Sequence, residues 1–189
     1  MARLDGWDAW QVFDNQGRRK YLSADERTRF LAAADLLALP RHTLCYVLAY
    51  TGCRISEALA LTTHHVDAEQ LTVTFRTLKR RRTVFRTVPV PKPVVGMLRK
   101  LANDSGGQLW RMHRVTAWRV VKATMIRAGI AGPMACCKGP RRGFGIRAAG
   151  RSVPINLVQR WMGHASPNTT AIYLDAVGFE ERQFASRMW

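Results

Sequence analysis

Four residues stand out for the chemistry their types allow. Arg54 lies in the stretch TGCRISEAL, Arg141 in KGPRRGFG, and His164 and Tyr173 in WMGHASPNTTAIY, which runs from Trp161 to Tyr173. A guanidinium is planar, stays protonated and can grip two oxygens of one phosphate at once. A tyrosine phenol, with an ordinary pKa of about 10, becomes a nucleophile only when its proton is removed and nearby positive charge stabilises the phenolate. An attacked phosphodiester gains negative charge on its non-bridging oxygens, so arginines and a phenol held together suit phosphoryl transfer. Taken singly, each residue has a plainer reading. Glu57, one helical turn from Arg54, is placed to pair with it, and Tyr173 alone would be a core residue of a helix from Pro167 to Val177.

The balance of charge points to a polyanionic partner. Thirty Lys and Arg against thirteen Asp and Glu give the 189-residue chain a net charge of +17 and a pI near 11.1. Each phosphate that such a surface neutralises releases condensed counterions, which makes binding strongly dependent on salt. An apolar content of 47% is enough for the core of one domain. A membrane role is disfavoured: no apolar run approaches the roughly eighteen residues of a spanning helix, and MARLDGWDAWQ lacks the apolar stretch of a signal peptide. The protein is expected to be cytosolic and associated with the nucleoid when bound to DNA. Its four cysteines, Cys45, Cys53, Cys136 and Cys137, show no paired CxxC spacing and are read as reduced thiols, not as zinc ligands.

These elements must position the four residues. Ser23 and Glu26 form a capping box, and Phe30, Leu31, Ala34 and Leu37 recur at helical spacing, predicting a helix over Ser23–Ala38. A second helix starts at Pro40, shows Leu44, Val47 and Leu48 on one face, and ends where Gly52 can cap it. Arg54 then opens a third. From Leu71 to Val90 the period is two: Leu71, Val73 and Phe75 alternate with polar residues, and Val84, Val88 and Val90 repeat the pattern beyond LKRRR, which predicts a β-hairpin with a basic tip. Lys79, Arg80, Arg81 and Arg82 make that tip, with Arg76 and Arg86 on the strands. A charge run is usually a solvated turn, but in a chain this basic the whole group is expected to contact DNA, since a hairpin tip can enter a groove. Helices are further predicted over Pro93–Leu101 and Val115–Ala128, and the last third is helical in short pieces. The fold class is therefore α+β, mainly helical with a small antiparallel sheet.

The three stretches around Arg54, Arg141 and Trp161–Tyr173 resemble the catalytic signature of the tyrosine recombinases, the phage integrase family, in both order and spacing. The resemblance covers about residues 22–177. It implies a site-specific recombinase or integrase: a tyrosine attacks a DNA phosphodiester, leaves a 3′-phosphotyrosine and a free 5′-hydroxyl, and a second 5′-hydroxyl reverses the step, with no metal, ATP or other cofactor. On this resemblance Tyr173 is the nucleophile, Arg54 and Arg141 clamp the scissile phosphate, and His164 donates a hydrogen bond to it. Lys79 matches the hairpin lysine that protonates the leaving 5′-oxygen, a step that needs an acid because an alkoxide is a poor leaving group. The box usually written HxxRH reads here from Lys138 to Arg142. Lys138 thus takes the first histidine position, where a protonated lysine can hold phosphate but cannot accept the tyrosine proton, and Arg142 is a further expected DNA contact.

Gly143, Gly145 and Ala148 also satisfy the dinucleotide fingerprint G-x-G-x-x-A. With no apolar strand before them and no βαβ pattern after, close helix packing explains them better. Residues 1–21, with Trp7, Trp10 and Phe13, read as an arm too short for the DNA-clamping domain that usually precedes this one, so DNA binding is expected to be weak and salt-sensitive. Residues 178–189 read as a C-terminal helix or tail that carries Phe179, Phe184 and Met188 and is expected to dock on a neighbouring protomer. The expected partners are double-stranded DNA and further copies of the chain in a synaptic tetramer. Two other readings are kept: a type IB topoisomerase-like nicking-closing enzyme, and a DNA-binding regulator without catalysis.

Overall fold

The structure, a computed structural model, describes residues 11–77, 84–103, 107–173 and 186–188. Along these segments three α-helices and a 3-10 turn come first, then three consecutive strands, then five α-helices. Helix α1 (Ala24–Asp35) begins at a capping box: Glu26 N–H donates to Ser23 Oγ at 3.2 Å, and Ser23 N–H donates to the Glu26 carboxylate at 2.9 Å. That carboxylate is gripped from the other side by Arg19, at 2.6 and 2.8 Å, which ties the preceding segment to the helix. Helix α2 (Leu39–Thr51) carries Pro40 in its first turn, where no amide donor is lost, and ends on Gly52 in the left-handed conformation at φ 61°. Helix α3 (Ile55–Leu59) follows at once, with Arg54 as its N-cap residue.

The sheet has the order β1 (Val66–Asp67), β2 (Thr72–Arg76), β3 (Phe85–Pro89), antiparallel throughout. The short β1 was not anticipated, because two residues carry no periodicity. In the hairpin Val73 pairs with Val88 and Phe75 with Arg86. Val73, Phe75 and Val88 point inward, and Arg86 points inward with them. The hairpin tip, Lys79 to Arg82, lies outside the described residues.

Helices α4 (Lys92–Asn103) and α5 (Arg114–Arg127) pack with α1 and α2 around a core that includes Phe30, Leu44, Leu48, Phe75, Leu98, Trp110 and Met125. The Trp110 indole N–H is satisfied by the Pro40 carbonyl at 2.7 Å. Helices α6 (Lys138–Ala149), α7 (Ile155–Met162) and α8 (Asn168–Ala171) build a second, smaller core from Ala148, Val158, Met162 and Tyr173. Val12 is buried in it and Phe13 packs against it, so part of the N-terminal arm lies on the domain. Trp7, Trp10, Phe179, Phe184 and Trp189 fall outside the described residues. Among the described residues no helix is long and apolar enough to cross a membrane.

Phe75 is fully buried beneath the hairpin. Truncating it leaves a cavity as well as losing apolar burial, so Phe75→Ala is expected to lower the unfolding free energy by about 3–5 kcal/mol. Urea denaturation checks this, and a loss within experimental error of zero would show that the strand is not anchored there.

Candidate active site

The turn between α2 and α3 supplies the first arginine. Glu57, in the first turn of α3, reaches back so that Arg54 N–H donates to its Oε2 at 2.7 Å, while Arg54 Nη1 donates to Oε1 at 2.9 Å. The Arg54 side chain remains about one-fifth exposed, whereas the Glu57 side chain has no exposed surface. Burial would raise the Glu57 carboxyl, but the Arg86 guanidinium, then the Arg54 amide and guanidinium, outweigh it and hold the group below the usual carboxylate range. Glu57 was expected as the partner of Arg54, and it has that place.

Arg141 comes from the first turn of α6 and is almost wholly buried. Its Nη1 donates to the Gly52 carbonyl at 2.5 Å and its Nη2 to the Met162 carbonyl at 2.7 Å. The one guanidinium therefore ties together the residue two before Arg54 and the residue two before His164. Gly52 is needed here twice over. Its positive φ suits a helix C-cap, and a Cβ would lie 2.7 Å from Phe144 Cδ1, one turn along α6 from Arg141. Burial, followed by the Arg54 charge, lowers Arg141 from its ordinary value to about 10, which still leaves it protonated at neutral pH.

His164 follows the left-handed Gly163 that caps α7, and it is buried. Its Nδ1 lies 2.8 Å from Thr170 Oγ1, a contact that fixes the ring from within α8. Burial, with Arg141, Arg54 and Arg86 nearby, pushes the imidazole down to about 3, so it is neutral at physiological pH. Thr170 was not singled out from the sequence; its spacing of six from His164 is no recognised pattern, and only the fold across the Pro167 turn brings the two together.

Tyr173 is 4% exposed, with its ring centroid 6.1 Å from that of His164. It stands in the turn after α8, which ends at Ala171 rather than continuing to Val177, and residues 174–177 lie outside the described residues. Burial raises the phenol above its ordinary value; Arg141, Arg142 and Arg54 oppose this without cancelling it. The ring packs closely against α6 at Gly145, where a Cβ would lie 2.6 Å from Cδ2 and Cε2. At Gly143 a Cβ would likewise lie 2.9 Å from the Leu22 carbonyl oxygen. The fingerprint-like glycines are thus packing residues.

Lys138 opens α6 and is exposed, and Arg142 in the same helix is half-buried, with Nη1 donating to the Lys20 carbonyl at 3.5 Å. Arg76 is exposed at the end of β2. Arg86 departs from expectation. Instead of facing a groove with the tip arginines, its side chain is 3% exposed and paired with Glu57 at 2.7 Å, because its place in the strand alternation turns it inward beside Phe75. All four cysteines are free, and burial raises Cys45 and Cys53 to about 12, which suits inert core thiols.

A mainly helical domain with a three-stranded antiparallel sheet, drawing two arginines, a histidine and a tyrosine into one place, has the architecture of a tyrosine recombinase catalytic domain. The phage integrase family model matches residues 20–177, and the chain belongs to that family. It is 32% identical to the tyrosine recombinase XerD of Mycobacterium leprae over 83% of this chain and 57% of the relative. Among solved structures it resembles the XerA recombinase (25% identity, TM-score 0.75, 89% of this chain and 64% of that one). It also shares the fold of the Tn1549 transposon integrase in complex with transposon right end DNA (16% identity, TM-score 0.71, 93% and 67%). The chain spans a little over half the length of the curated relatives it matches.

Two outcomes follow from this geometry. Gly145→Ala forces Tyr173 away from α6, and overpacking of this kind costs about 1–3 kcal/mol; the exposure of Tyr173 to iodination is expected to rise, and an unchanged exposure would show that the ring has room to spare. His164 titrates near 6.5 when unfolded and near 3 when folded, so the unfolded chain binds the extra proton. Its contribution is complete above the unfolded value and is lost progressively as pH falls from about 6.5 towards 3. His164→Gln should flatten that part of the pH–stability curve, and an imidazole NMR signal titrating between pH 6 and 7 in the folded protein would contradict the assignment.

Proposed function

We propose that this chain cleaves and rejoins DNA strands through a phosphotyrosine, as a site-specific recombinase or integrase. The observation that carries the reading is the union of Arg54, Arg141, His164 and Tyr173 in one buried, electropositive site, supported by family membership and by relatives that are recombinases. Double-stranded DNA is the proposed substrate. The net charge of +17 suits a polyanion, and the Tn1549 integrase of the same fold is in complex with transposon right end DNA.

In the proposed step the Tyr173 oxygen bonds to the phosphorus of a phosphodiester, and the bond from phosphorus to the 5′-oxygen breaks. The phenol proton passes to a base, and the leaving oxygen takes a proton from the hairpin lysine, Lys79. Arg54 and Arg141 face the non-bridging oxygens and hold the added charge. With Thr170 holding one ring nitrogen, neutral His164 presents the other as a hydrogen-bonding group to the phosphate. Lys138, exposed at the opening of α6, is a further cation for the same phosphate. Because burial raises the phenol, bound DNA must bring Tyr173 into contact with both base and phosphate before it can attack. Assembly of further copies into a tetramer on DNA, coupled through residues 178–189, belongs to the same proposal.

The chain is to be incubated with a pool of nicked duplexes of randomised sequence, whose cleaved strand loses a short fragment and traps the enzyme. A covalent adduct that survives denaturation is expected for the wild type, with Tyr173→Phe reducing it by at least about 10³-fold. Adduct persisting in the variant would mean a different nucleophile. Binding of the pool without any adduct would favour a DNA-binding protein that does not cleave.

A further inference from the structure

Arg86 brings a third guanidinium to the site, and none of its nitrogens faces solvent or substrate. Nη2 donates to Glu57 Oε2 at 2.7 Å, Nη1 donates to Glu57 Oε1 at 3.3 Å and to Thr77 Oγ1 at 3.1 Å, and Nε donates to the Trp161 carbonyl at 2.8 Å. Its guanidinium carbon sits 5.1 Å from the centre of the Phe75 ring. On the far side Gly163 approaches so closely that a Cβ there would lie 3.0 Å from the guanidinium. One residue of β3 therefore touches both the α3 carboxylate that holds Arg54 and the backbone that leads into His164.

The count of charges gives this contact a consequence for the chemistry. Glu57 is one buried carboxylate shared by two guanidiniums, and its Oε1 accepts from Arg54 as well as from Arg86. With Arg86 in place, the carboxylate is neutralised from β3, and the partly exposed Arg54 keeps its charge for another anion. Without Arg86 the carboxylate has Arg54 alone as a counter-ion in a dry environment, where ion pairing is strong. Arg54 would then be drawn inward and its field at the phosphate largely cancelled.

We propose that Arg86 is a positioning residue for strand cleavage: it neutralises Glu57 so that Arg54 is available to the scissile phosphate, and it sets the turn that carries His164. This rests on the phosphotyrosine reading above. The plainer alternative is a buried ion pair that supports the fold and nothing more.

A change of substrate separates the two. A methylphosphonate carries methyl in place of one non-bridging oxygen, so its attacked state bears one negative charge fewer and draws less on the arginines. Duplexes that the wild type cleaves are taken from the randomised pool and made with either a phosphodiester or a methylphosphonate at the cleaved position. Single-turnover adduct formation is then measured at saturating protein for the wild type, R86K, R86M and R86M/E57Q, with thermal melting of each. R86M is expected to slow cleavage of the phosphodiester by about 10²–10³-fold but that of the methylphosphonate by less than about 10-fold. R86M/E57Q, which lacks the uncompensated carboxylate, is expected to be faster than R86M on the phosphodiester, and R86K to fall between R86M and the wild type.

Equal slowing of both substrates, or phosphodiester cleavage within about 3-fold of wild type, overturns the proposal. Should R86M fail to melt cooperatively, R86K and R86M/E57Q decide by the same ratio of the two substrates. A wild type that forms no adduct with any duplex overturns the phosphotyrosine reading and this inference together. A wild type that cleaves while the variants lose both substrates equally overturns only the role of Arg86.

Discussion

The Glu57 carboxylate, buried without exposed side-chain surface, accepts from the Arg86 guanidinium, the Arg54 guanidinium and the Arg54 backbone amide, and the site is arranged around that need. A carboxylate removed from water costs several kcal/mol unless it is paired and hydrogen-bonded. Meeting that cost draws β3 to α3 and fixes the α2–α3 turn in which Arg54 stands. Arg141 completes the arrangement with the Gly52 and Met162 carbonyls, so the segments carrying Arg54 and His164 are held by hydrogen bonds to one guanidinium. Positioning here is done by charged groups that are themselves buried, which allows little freedom in where the exposed part of Arg54 can lie.

Desolvation also decides which groups near the site are charged. Burial pushes His164 and Tyr173 toward their neutral forms, while Arg141, lowered to about 10, keeps its proton. Glu57 pairs with the guanidiniums of Arg54 and Arg86, and Arg141, held by backbone carbonyls, adds a third positive charge nearby. The surplus positive charge sits where water is largely excluded, so its field is little screened. The same burial that strengthens this field also holds Tyr173 protonated, since a phenol in a dry pocket keeps its proton more tightly. The strong positive field and the neutral tyrosine are two results of one dielectric environment.

Close approach is the other physical constraint. Tyr173 packs closely on Gly145, Phe144 lies against Gly52, and the Leu22 backbone lies against Gly143. Each contact needs a missing side chain on one partner. Helix α6 therefore presents Arg141 from one turn and a bare surface from the next, which brings arginine and tyrosine into the same small volume.

Much of this was readable from the chain because it is local. The capping box at Ser23, the Gly52 cap, the hairpin alternation and the stretches around Arg54, Arg141 and Tyr173 are all set by neighbouring residues, and they suffice for the mainly helical fold with a small sheet. The inward turn of Arg86 was also latent there, since it alternates in phase with Val84, Val88 and Val90; its charge made a groove contact the more natural expectation. What no spacing could supply was the partner that makes a buried arginine tolerable. Glu57 lies 29 residues from Arg86, and the Trp161 carbonyl lies 75 away. The residue types able to do the chemistry were thus determined by sequence alone. Which guanidinium stays partly exposed and which is buried against a carboxylate was decided only by the tertiary structure, because burial and pairing are properties of segments that meet after the chain has folded.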